Sequence, residues 1–244
     1  MILSTPITKV KVTLSPKGPQ LPIAVTTSGP PRRLTVLAYG SPGSGKTVFA
    51  STFPKPLFID LDDGLMSVRE KHVPWIRPTD YSQLTLCTTP EYVTDYDTIV
   101  LDTITEAHHV IMAGILKMAG RDQAQQSDWG MARERVIRLV RSLKALEDKH
   151  IVLCAEERAD KDEETGKIMV GPMLPGQLFT DIGRYVDCVF HLRSALDPTT
   201  GKRGRFMLTE PEGLYQGKDR TGKLDKLERP DFNSLWAKIS KKEA

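Results

Sequence analysis

Short apolar segments alternate with polar, glycine-rich and charged segments along most of this chain. Five of the apolar segments are of strand length, and they cover residues 34–39, 56–61, 97–103, 151–155 and 188–192. Segments that are apolar at nearly every position are typical of parallel strands covered on both faces. Because helix-like segments lie between them, the pattern predicts an α/β domain with a mainly parallel, twisted sheet flanked by helices.

Other segments repeat their apolar residues every three or four positions, as one face of a helix does. A long helix is predicted after Gly130, and a short C-terminal one has its apolar face at Phe232, Leu235, Trp236 and Ile239. Residues 105–119 have helical character up to Gly120, whereas the polar residues 121–130 indicate a loop that holds Trp129. These helices would cover the faces of the sheet.

The two ends of the chain have patterns of their own. The apolar residues 188–192 and 205–209 flank the turn-forming sequence 197–201, which predicts a β-hairpin and hence an antiparallel C-terminal extension of the sheet. Residues 1–31 are rich in Pro, Thr and Lys, and residues 7–14 alternate like a half-exposed strand. We interpret 1–31 as an N-terminal arm, either docked on a neighbouring subunit or a flexible tail, and 32–244 as the domain.

A phosphate-binding motif follows the first predicted strand. Gly40-Ser41-Pro42-Gly43-Ser44-Gly45-Lys46-Thr47 fits the P-loop pattern G-x-x-x-x-G-K-[ST]. The glycines let backbone N–H groups turn inward around a phosphate, Lys46 can reach the β- and γ-phosphates, and the Thr47 hydroxyl can bind Mg²⁺. Because guanine recognition needs an N-K-x-D motif and the only asparagine is Asn233, a Ras-like GTPase is excluded. The motif therefore predicts binding of ATP with Mg²⁺.

Carboxylates end the next two predicted strands. Asp102 ends 97–103 in the manner of a Walker B aspartate, which binds Mg²⁺. Thr103 follows it, where an AAA+ protein carries its catalytic glutamate, so the carboxylate that polarises the attacking water must come from elsewhere. Asp62 and Asp63, at the tip of the second strand, are the candidates; capping of a helix that starts near Gly64 is the alternative for either one.

Two cations occur one residue apart near the C-terminus. Lys218 and Arg220 follow a predicted edge strand, so both side chains can point the same way. Such a pair can neutralise the charge that develops on a transferring phosphate, as an arginine finger does. Solvated surface charge is the open alternative.

Composition adds little to this prediction. The chain has 244 residues and a formal charge of +3, with no acidic residue before Asp60 and a basic cluster at Lys202, Arg203 and Arg205. Such patches can hold an anionic polymer, and ordinary solubilising charge explains them equally well. Cys154 and Cys188 lie in apolar segments and are expected to be buried free thiols, as in a reducing cytosol. We expect a cytoplasmic protein without a membrane segment.

The ordered set of motifs resembles a known family. The sequences G-S-P-G-S-G-K-T, F-I-D-L-D-D-G, I-V-L-D-T-I-T, I-V-L-C-A-E-E-R and G-K-D-R-T-G, spread over residues 32–222, are similar to those of phage P-loop ATPases of the single-strand-annealing (Sak) type. These proteins are core-only relatives of the RecA and RadA recombinases. The resemblance implies a RecA-like fold, ATP-dependent binding of single-stranded DNA, annealing or strand exchange, and assembly into rings or filaments, with a single-strand-binding protein as a possible further partner.

The resemblance also assigns roles to residues. Asp62 matches the catalytic glutamate of RecA-like proteins, with a side chain shorter by one methylene, so slow hydrolysis is expected. Glu156 occupies the position of a γ-phosphate sensor that is often Gln. Lys218 and Arg220 match the pair that acts on the nucleotide of a neighbouring subunit. The DNA-binding loops would be 120–130 and 158–177, with Trp129 available for stacking.

Two other functions are compatible with the same motifs. A small-molecule P-loop kinase would need an acceptor pocket and a basic lid, for which residues 197–222 are available. A nucleotide switch that recruits replication proteins would bind ATP without needing to hydrolyse it.

Overall fold

The computed structural model describes residues 33–161, 166–196, 201 and 203–241, so the predicted arm 1–31 lies outside the described residues. The strands are β1 (Thr35–Tyr39), β2 (Pro56–Asp60), β3 (Trp75–Ile76), β4 (Thr98–Asp102), β5 (His150–Ala155), β6 (Glu157–Lys161), β7 (Ile168–Pro172), β8 (Cys188–Leu196), β9 (Arg203–Leu208), β10 (Lys218–Asp219) and β11 (Leu227–Glu228). The α-helices are α1 (Lys46–Ala50), α2 (Tyr81–Leu86), α3 (Pro90–Val93), α4 (Ile104–Ala119), α5 (Gln126–Ala145), α6 (Leu178–Asp181) and α7 (Phe232–Ile239). Two 3-10 helices cover Gly64–Lys71 and Ile182–Tyr185.

The main sheet has the order β11-β9-β8-β1-β5-β4-β2-β3, and β10 also pairs with β8. Strands β8, β1, β5, β4, β2 and β3 run parallel, whereas β9, β10 and β11 are antiparallel to their partners. The predicted fold, an α/β domain with a mainly parallel sheet and a C-terminal antiparallel extension, is confirmed. The β8–β9 hairpin is also as predicted.

The register places the ends of the central strands at one edge of the sheet. Tyr39 at the end of β1 pairs with Ala155 of β5, and Asp102 at the end of β4 pairs with both Asp60 of β2 and Cys154 of β5. Everything that follows these strands therefore lies at the same carboxyl edge, where α/β sheets bind their ligands.

Both faces of the sheet are covered. Leu37 and Tyr39 pack with apolar side chains of α4 and α5, whereas Val36 and Ala38 pack with those of α1 and α7. This alternation follows from the period of two along a strand. It explains why β1 is apolar throughout and why all of its residues are buried.

The start of α5 differs from the sequence-based prediction. Residues 121–130 were expected to form a loop, but α5 begins at Gln126 and includes Trp129 in its first turn. The buried Asp128 carboxylate accepts hydrogen bonds from the Gln125 backbone N–H at 2.7 Å and from Arg121 at 2.9 Å. Because these bonds satisfy the helix N-terminus, the helix starts earlier than its apolar face suggests.

Other predictions need smaller corrections. Residues 65–95, for which one short helix was expected, form a 3-10 helix, the edge strand β3 and the short helices α2 and α3. Helix α4 ends at Ala119 with Gly120 in the left-handed region at φ 62°, as the glycine predicts. Cys87, Cys154 and Cys188 are buried free thiols, which confirms the expectation for the last two. None of the helices in the described ranges has both the length and the apolar character needed to span a membrane.

Candidate nucleotide-binding site

The phosphate-binding motif connects β1 to α1 at the carboxyl edge of the sheet. Two of its glycines are required by the geometry. Gly45 has φ +104°, a conformation that side chains disfavour, and a Cβ atom on Gly40 would lie 2.4 Å from the carbonyl oxygen of Leu192. The sequence therefore folds here into the strand, glycine loop and helix order that a phosphate cradle needs.

Lys46 is buried and folded back over the loop. Its Nζ donates hydrogen bonds to the carbonyl oxygens of Gly40 at 3.0 Å and Ser41 at 3.3 Å. It also forms an ion pair of 2.9 Å with Oε1 of Glu156, which follows β5. Glu156 thus lies within the site, and a phosphate group would compete with it for the lysine.

Thr47 and Asp102 form the predicted metal-binding pair. Thr47 Oγ1 donates a hydrogen bond of 2.8 Å to Asp102 Oδ2. Burial raises the pKa of Asp102 to about 6, the nearby Asp62 charge adds to this, and the hydrogen bond from Thr47 opposes it. A cation beside this carboxylate would favour its ionised form.

These oxygens fit Mg²⁺, which prefers carboxylate and hydroxyl oxygens and keeps several ligands from water and phosphate. Within the described ranges, no group of three or more His, Cys, Asp and Glu side chains forms a metal cluster. The arrangement therefore suits a cation that has few protein ligands and takes the others from phosphate groups and water. Thr47 and Asp102 would hold Mg²⁺, which when bound neutralises phosphate charge.

The two candidate aspartates after β2 have different surroundings. Burial raises the pKa of Asp62, the charges of Asp60 and Glu156 raise it further, and Lys46 lowers it, so the Asp62 carboxyl lies within the field of the phosphate site. Asp63 is 81% exposed and pairs with Arg77. Of the two, Asp62 lies beside the site, which favours it as the carboxylate that orients water.

The turn after β2 is supported by a pair of residues, Asp60 and Arg77, that the sequence patterns did not predict. Asp60 is buried and accepts hydrogen bonds from Arg77 at 2.6 Å and from the backbone N–H of Gly64 at 3.2 Å. The Gly64 N–H also interacts with the Asp62 carboxylate, which lowers the pKa of Asp62 against the effect of burial, whereas Asp63 makes no side-chain capping bond to the following 3-10 helix. The signal was the position of Asp60 as the last residue of a buried strand, where a carboxylate needs a partner.

Lys218 and Arg220 lie away from the phosphate loop of their own chain. β10 pairs with the start of β8, and Arg220 is 3.3 Å from Asp187, whose other oxygen accepts the backbone N–H of Thr35 at the start of β1. Lys218 Nζ donates to the carbonyl oxygens of Gly183 at 2.7 Å and Val186 at 2.8 Å. Both cations thus point the same way, at the amino edge of the sheet, so any action on a nucleotide requires another subunit.

A second cavity lies at the carboxyl edge, between α4, the start of α5 and the segment after β7. It has a volume of about 400 Å³, and its lining includes Thr105, His108, Trp129, Arg158, Met173 and Pro175. We call it the Trp129 groove. The His108 and Trp129 rings stack with centroids 5.9 Å apart and an interplanar angle of 18°. Burial lowers the pKa of His108 to about 4, so this ring is neutral near pH 7.

A glycine loop after a central parallel strand, a buried lysine and a threonine–aspartate pair define a P-loop nucleoside triphosphatase. The chain belongs to the AAA domain family AAA_24, whose model matches residues 32–221. The coarse prediction of a P-loop ATPase is confirmed at the level of this family. Thr103 nevertheless follows Asp102, and Asp62 and Glu156 are two further carboxylates that interact with Lys46.

Among solved structures, the chain is similar to a KaiC-like protein from the hyperthermophilic archaeon Pyrococcus horikoshii OT3. The two share 16% sequence identity at a TM-score of 0.44, over 72% of this chain and 77% of that one. A comparison with the curated proteins found no match.

Proposed function

We propose that this chain is an ATP-hydrolysing phage recombination protein that acts on single-stranded DNA, promoting annealing or strand exchange. It works in the host cytoplasm as a ring or filament and cooperates with a single-strand-binding protein. The observation that carries the proposal is the Trp129 groove, because it brings together the two segments that the resemblance assigns to DNA binding. Trp129 comes from 120–130, and Arg158, Met173 and Pro175 come from 158–177.

The groove offers surfaces on which bases can stack. The Trp129 side chain is 47% exposed and lies on His108, so the indole has a supported inner face and an accessible outer side. The guanidinium of Arg158 lies 5.5 Å from the ring of Phe179. Stacking on aromatic rings and on arginine is how single strands are bound without sequence preference.

The groove is connected to the phosphate site by direct contacts. Thr105 lines the groove, and its Oγ1 accepts a hydrogen bond of 3.2 Å from the backbone N–H of Glu156. The Glu156 side chain holds Lys46, and Arg158 follows two residues later. A nucleotide that displaces Glu156 from Lys46 would therefore shift residues that contact the groove, which supports coupling between ATP and DNA.

For hydrolysis, we assign Lys46 to the charge of the transferring phosphoryl group and Asp62 to the orientation of the attacking water. A raised pKa makes the Asp62 carboxylate a better proton acceptor than an ordinary aspartate. Lys218 and Arg220 would complete the site from a neighbouring subunit. Burial and the nearby Arg220 charge lower the pKa of Lys218, whose Nζ donates to the carbonyl oxygens of Gly183 and Val186.

The test compares two exposed tryptophans. Trp129→Ala should weaken binding of a fluorescein-labelled oligothymidylate, measured by anisotropy with ATP and Mg²⁺, by about tenfold, since stacking contributes about 1–3 kcal/mol per base. Trp75→Ala is the control, because Trp75 is 53% exposed and lies on the edge strand β3, away from the groove. Equal DNA affinities of wild type and Trp129→Ala would contradict the proposal.

A further inference from the structure

A third cavity adjoins the phosphate loop on the side of the β8–β9 hairpin. Its volume is about 700 Å³, and its lining includes Val48, Arg205, Arg229, Pro230, Asp231 and Ser234. Val48 is the residue after Lys46-Thr47, so the cavity begins where the phosphate loop ends. We call it the hairpin cavity.

Arg205 lies between this cavity and the loop. A Cβ atom built on Gly45 would be 2.7 Å from Cδ of Arg205 and 3.0 Å from its Nε, so the arginine side chain runs along the loop backbone. Arg193, on the neighbouring strand, has a carboxylate partner in Glu212 at 3.5 Å. Among the described side chains, no carboxylate forms an ion pair with Arg205 within 4.0 Å, so this cation is available to an anion on the loop.

The order of the strands gives the direction of a bound nucleotide. Lys46, which reaches the terminal phosphates, is held by Glu156 after β5, and Asp102 and Asp62 follow β4 and β2 on the same side of β1. Arg205 is on β9, on the other side of β1. A triphosphate with its γ end towards Asp62 therefore directs its α-phosphate and nucleoside towards the hairpin cavity.

The lining has the chemistry of a nucleoside subsite. Val48 and Pro230 supply apolar surface for a base, and Arg205 and Arg229 supply positive charge. The Asp231 carboxylate in the lining caps α7, since it accepts hydrogen bonds from the backbone N–H and the hydroxyl of Ser234. A volume of about 300–1,000 Å³ is usual for small-molecule sites. The other cavity beside the loop, which Arg205 also lines, contains the ion pair between Glu157 and His191 and is the alternative location for the base.

We propose that the hairpin cavity is the nucleoside subsite of the ATP site and that Arg205, from the same subunit, binds the α- and β-phosphates. This inference rests on the proposed ATP binding. It assigns Arg205 a role that does not depend on a neighbouring subunit, in contrast to Lys218 and Arg220.

Calorimetric titration with ATP, ADP and inorganic tripolyphosphate separates the two parts of the proposal. Ser234→Trp places a bulky ring in the cavity and should weaken ATP and ADP by at least about tenfold while leaving tripolyphosphate unchanged. Asn233→Trp is the control, because Asn233 is an exposed neighbour on α7 that does not line the cavity. Arg205→Ala should weaken all three ligands by about tenfold, and Arg205→Lys should recover part of the loss.

The outcomes distinguish this inference from the proposed function. If wild type binds ATP, Lys46→Ala abolishes binding and Ser234→Trp binds ATP like wild type, the nucleoside subsite is wrong and the proposed function stands. If wild type binds no ATP, both are overturned. Undiminished tripolyphosphate binding by Arg205→Ala would refute the assignment of Arg205.

A measurement on the unmodified protein gives an independent check. Photolabelling with 8-azido-ATP, followed by mass-spectrometric mapping, should mark Val48 or residues 229–234. Labelling confined to Tyr215 and His191, which line the cavity beside Glu157, would place the base there and overturn the proposal.

Discussion

The ion pair between Lys46 and Glu156 leads to a counterintuitive prediction: removing the acid should tighten ATP binding. The pair is 2.9 Å long, and the side chains are 7% and 26% exposed. The substitution Glu156→Gln removes the ion pair, so Lys46 can bind the phosphates without competition from a carboxylate. It also removes a negative charge from the place where the terminal phosphate lies. We therefore expect the dissociation constant for ATP to fall.

The magnitude follows from Coulomb's law. Two unit charges about 4 Å apart interact by about 4 kcal/mol at an effective dielectric constant of about 20. Because Glu156 is partly exposed, and because the glutamine dipole can still accept a hydrogen bond from Lys46, solvent screening and this bond offset most of that energy. A net gain of about 1.4 kcal/mol, or about tenfold in affinity, is expected.

Calorimetric titration with ATP and ADP at constant ionic strength is the assay. The gain should be larger for ATP, because Glu156 faces the terminal phosphates that Lys46 reaches. Glu157→Gln is the matched control, since the Glu157 carboxylate pairs instead with the buried His191 at 2.9 Å. Weaker or unchanged ATP binding by Glu156→Gln, or an equal gain in Glu157→Gln, would refute the reasoning.

Three further predictions concern the metal pair, the subunit contact and the core. Burial raises the pKa of Asp102 to about 6, so the folded state favours the protonated carboxyl. The stabilising contribution of this protonated group is complete below about pH 4 and is lost as the pH rises through about 6. Asp102→Asn should therefore raise the free energy of unfolding of the nucleotide-free protein by about 1–3 kcal/mol at pH 7 but not at pH 4, measured by urea denaturation without Mg²⁺; equal differences at both pH values would contradict this. Lys46→Ala and Arg220→Ala, each inactive alone, should partly restore ATPase activity when mixed, and no restoration at any ratio would argue against action between subunits. Phe190→Ala removes a buried ring whose centroid lies 6.2 Å from that of Phe49, and it should lower the free energy of unfolding by about 3–5 kcal/mol. A loss below about 1 kcal/mol would contradict this prediction, because it would mean that the surrounding core closes over the cavity.

The main strands of the sheet could be predicted from the sequence because the patterns that mark them are local. Strands β1, β2, β4, β5 and β8 are buried apolar segments, and each was predicted within a few residues. Gly120 ends α4 where the sequence places the stop, because only the left-handed conformation closes the helix there. Asp102 lies beside Thr47 because Asp102 ends β4 and Thr47 follows β1 at the same edge of the sheet, with only β5 between the two strands. The Walker motifs predict this pairing.

Side-chain pairing was much less predictable. Asp60, Asp62 and Asp63 are nearly adjacent, yet Asp60 is buried, Asp62 interacts with the charges of Lys46 and Glu156, and Asp63 is exposed. Arg77 pairs with both Asp60 and Asp63. Which of them points inward depends on the turn after β2 and on Arg77, a residue from beyond a poorly patterned segment. The early start of α5 escaped detection for the same reason, since it depends on a hydrogen bond to the buried Asp128 and not on apolar spacing.

The central claim is that ATP turnover is shared between subunits and coupled to single-stranded DNA. The most direct test is the rate of ATP hydrolysis as a function of protein concentration, with and without an oligothymidylate. We predict that DNA stimulates hydrolysis and that activity per subunit rises with concentration. Turnover that is independent of both DNA and protein concentration would contradict the claim.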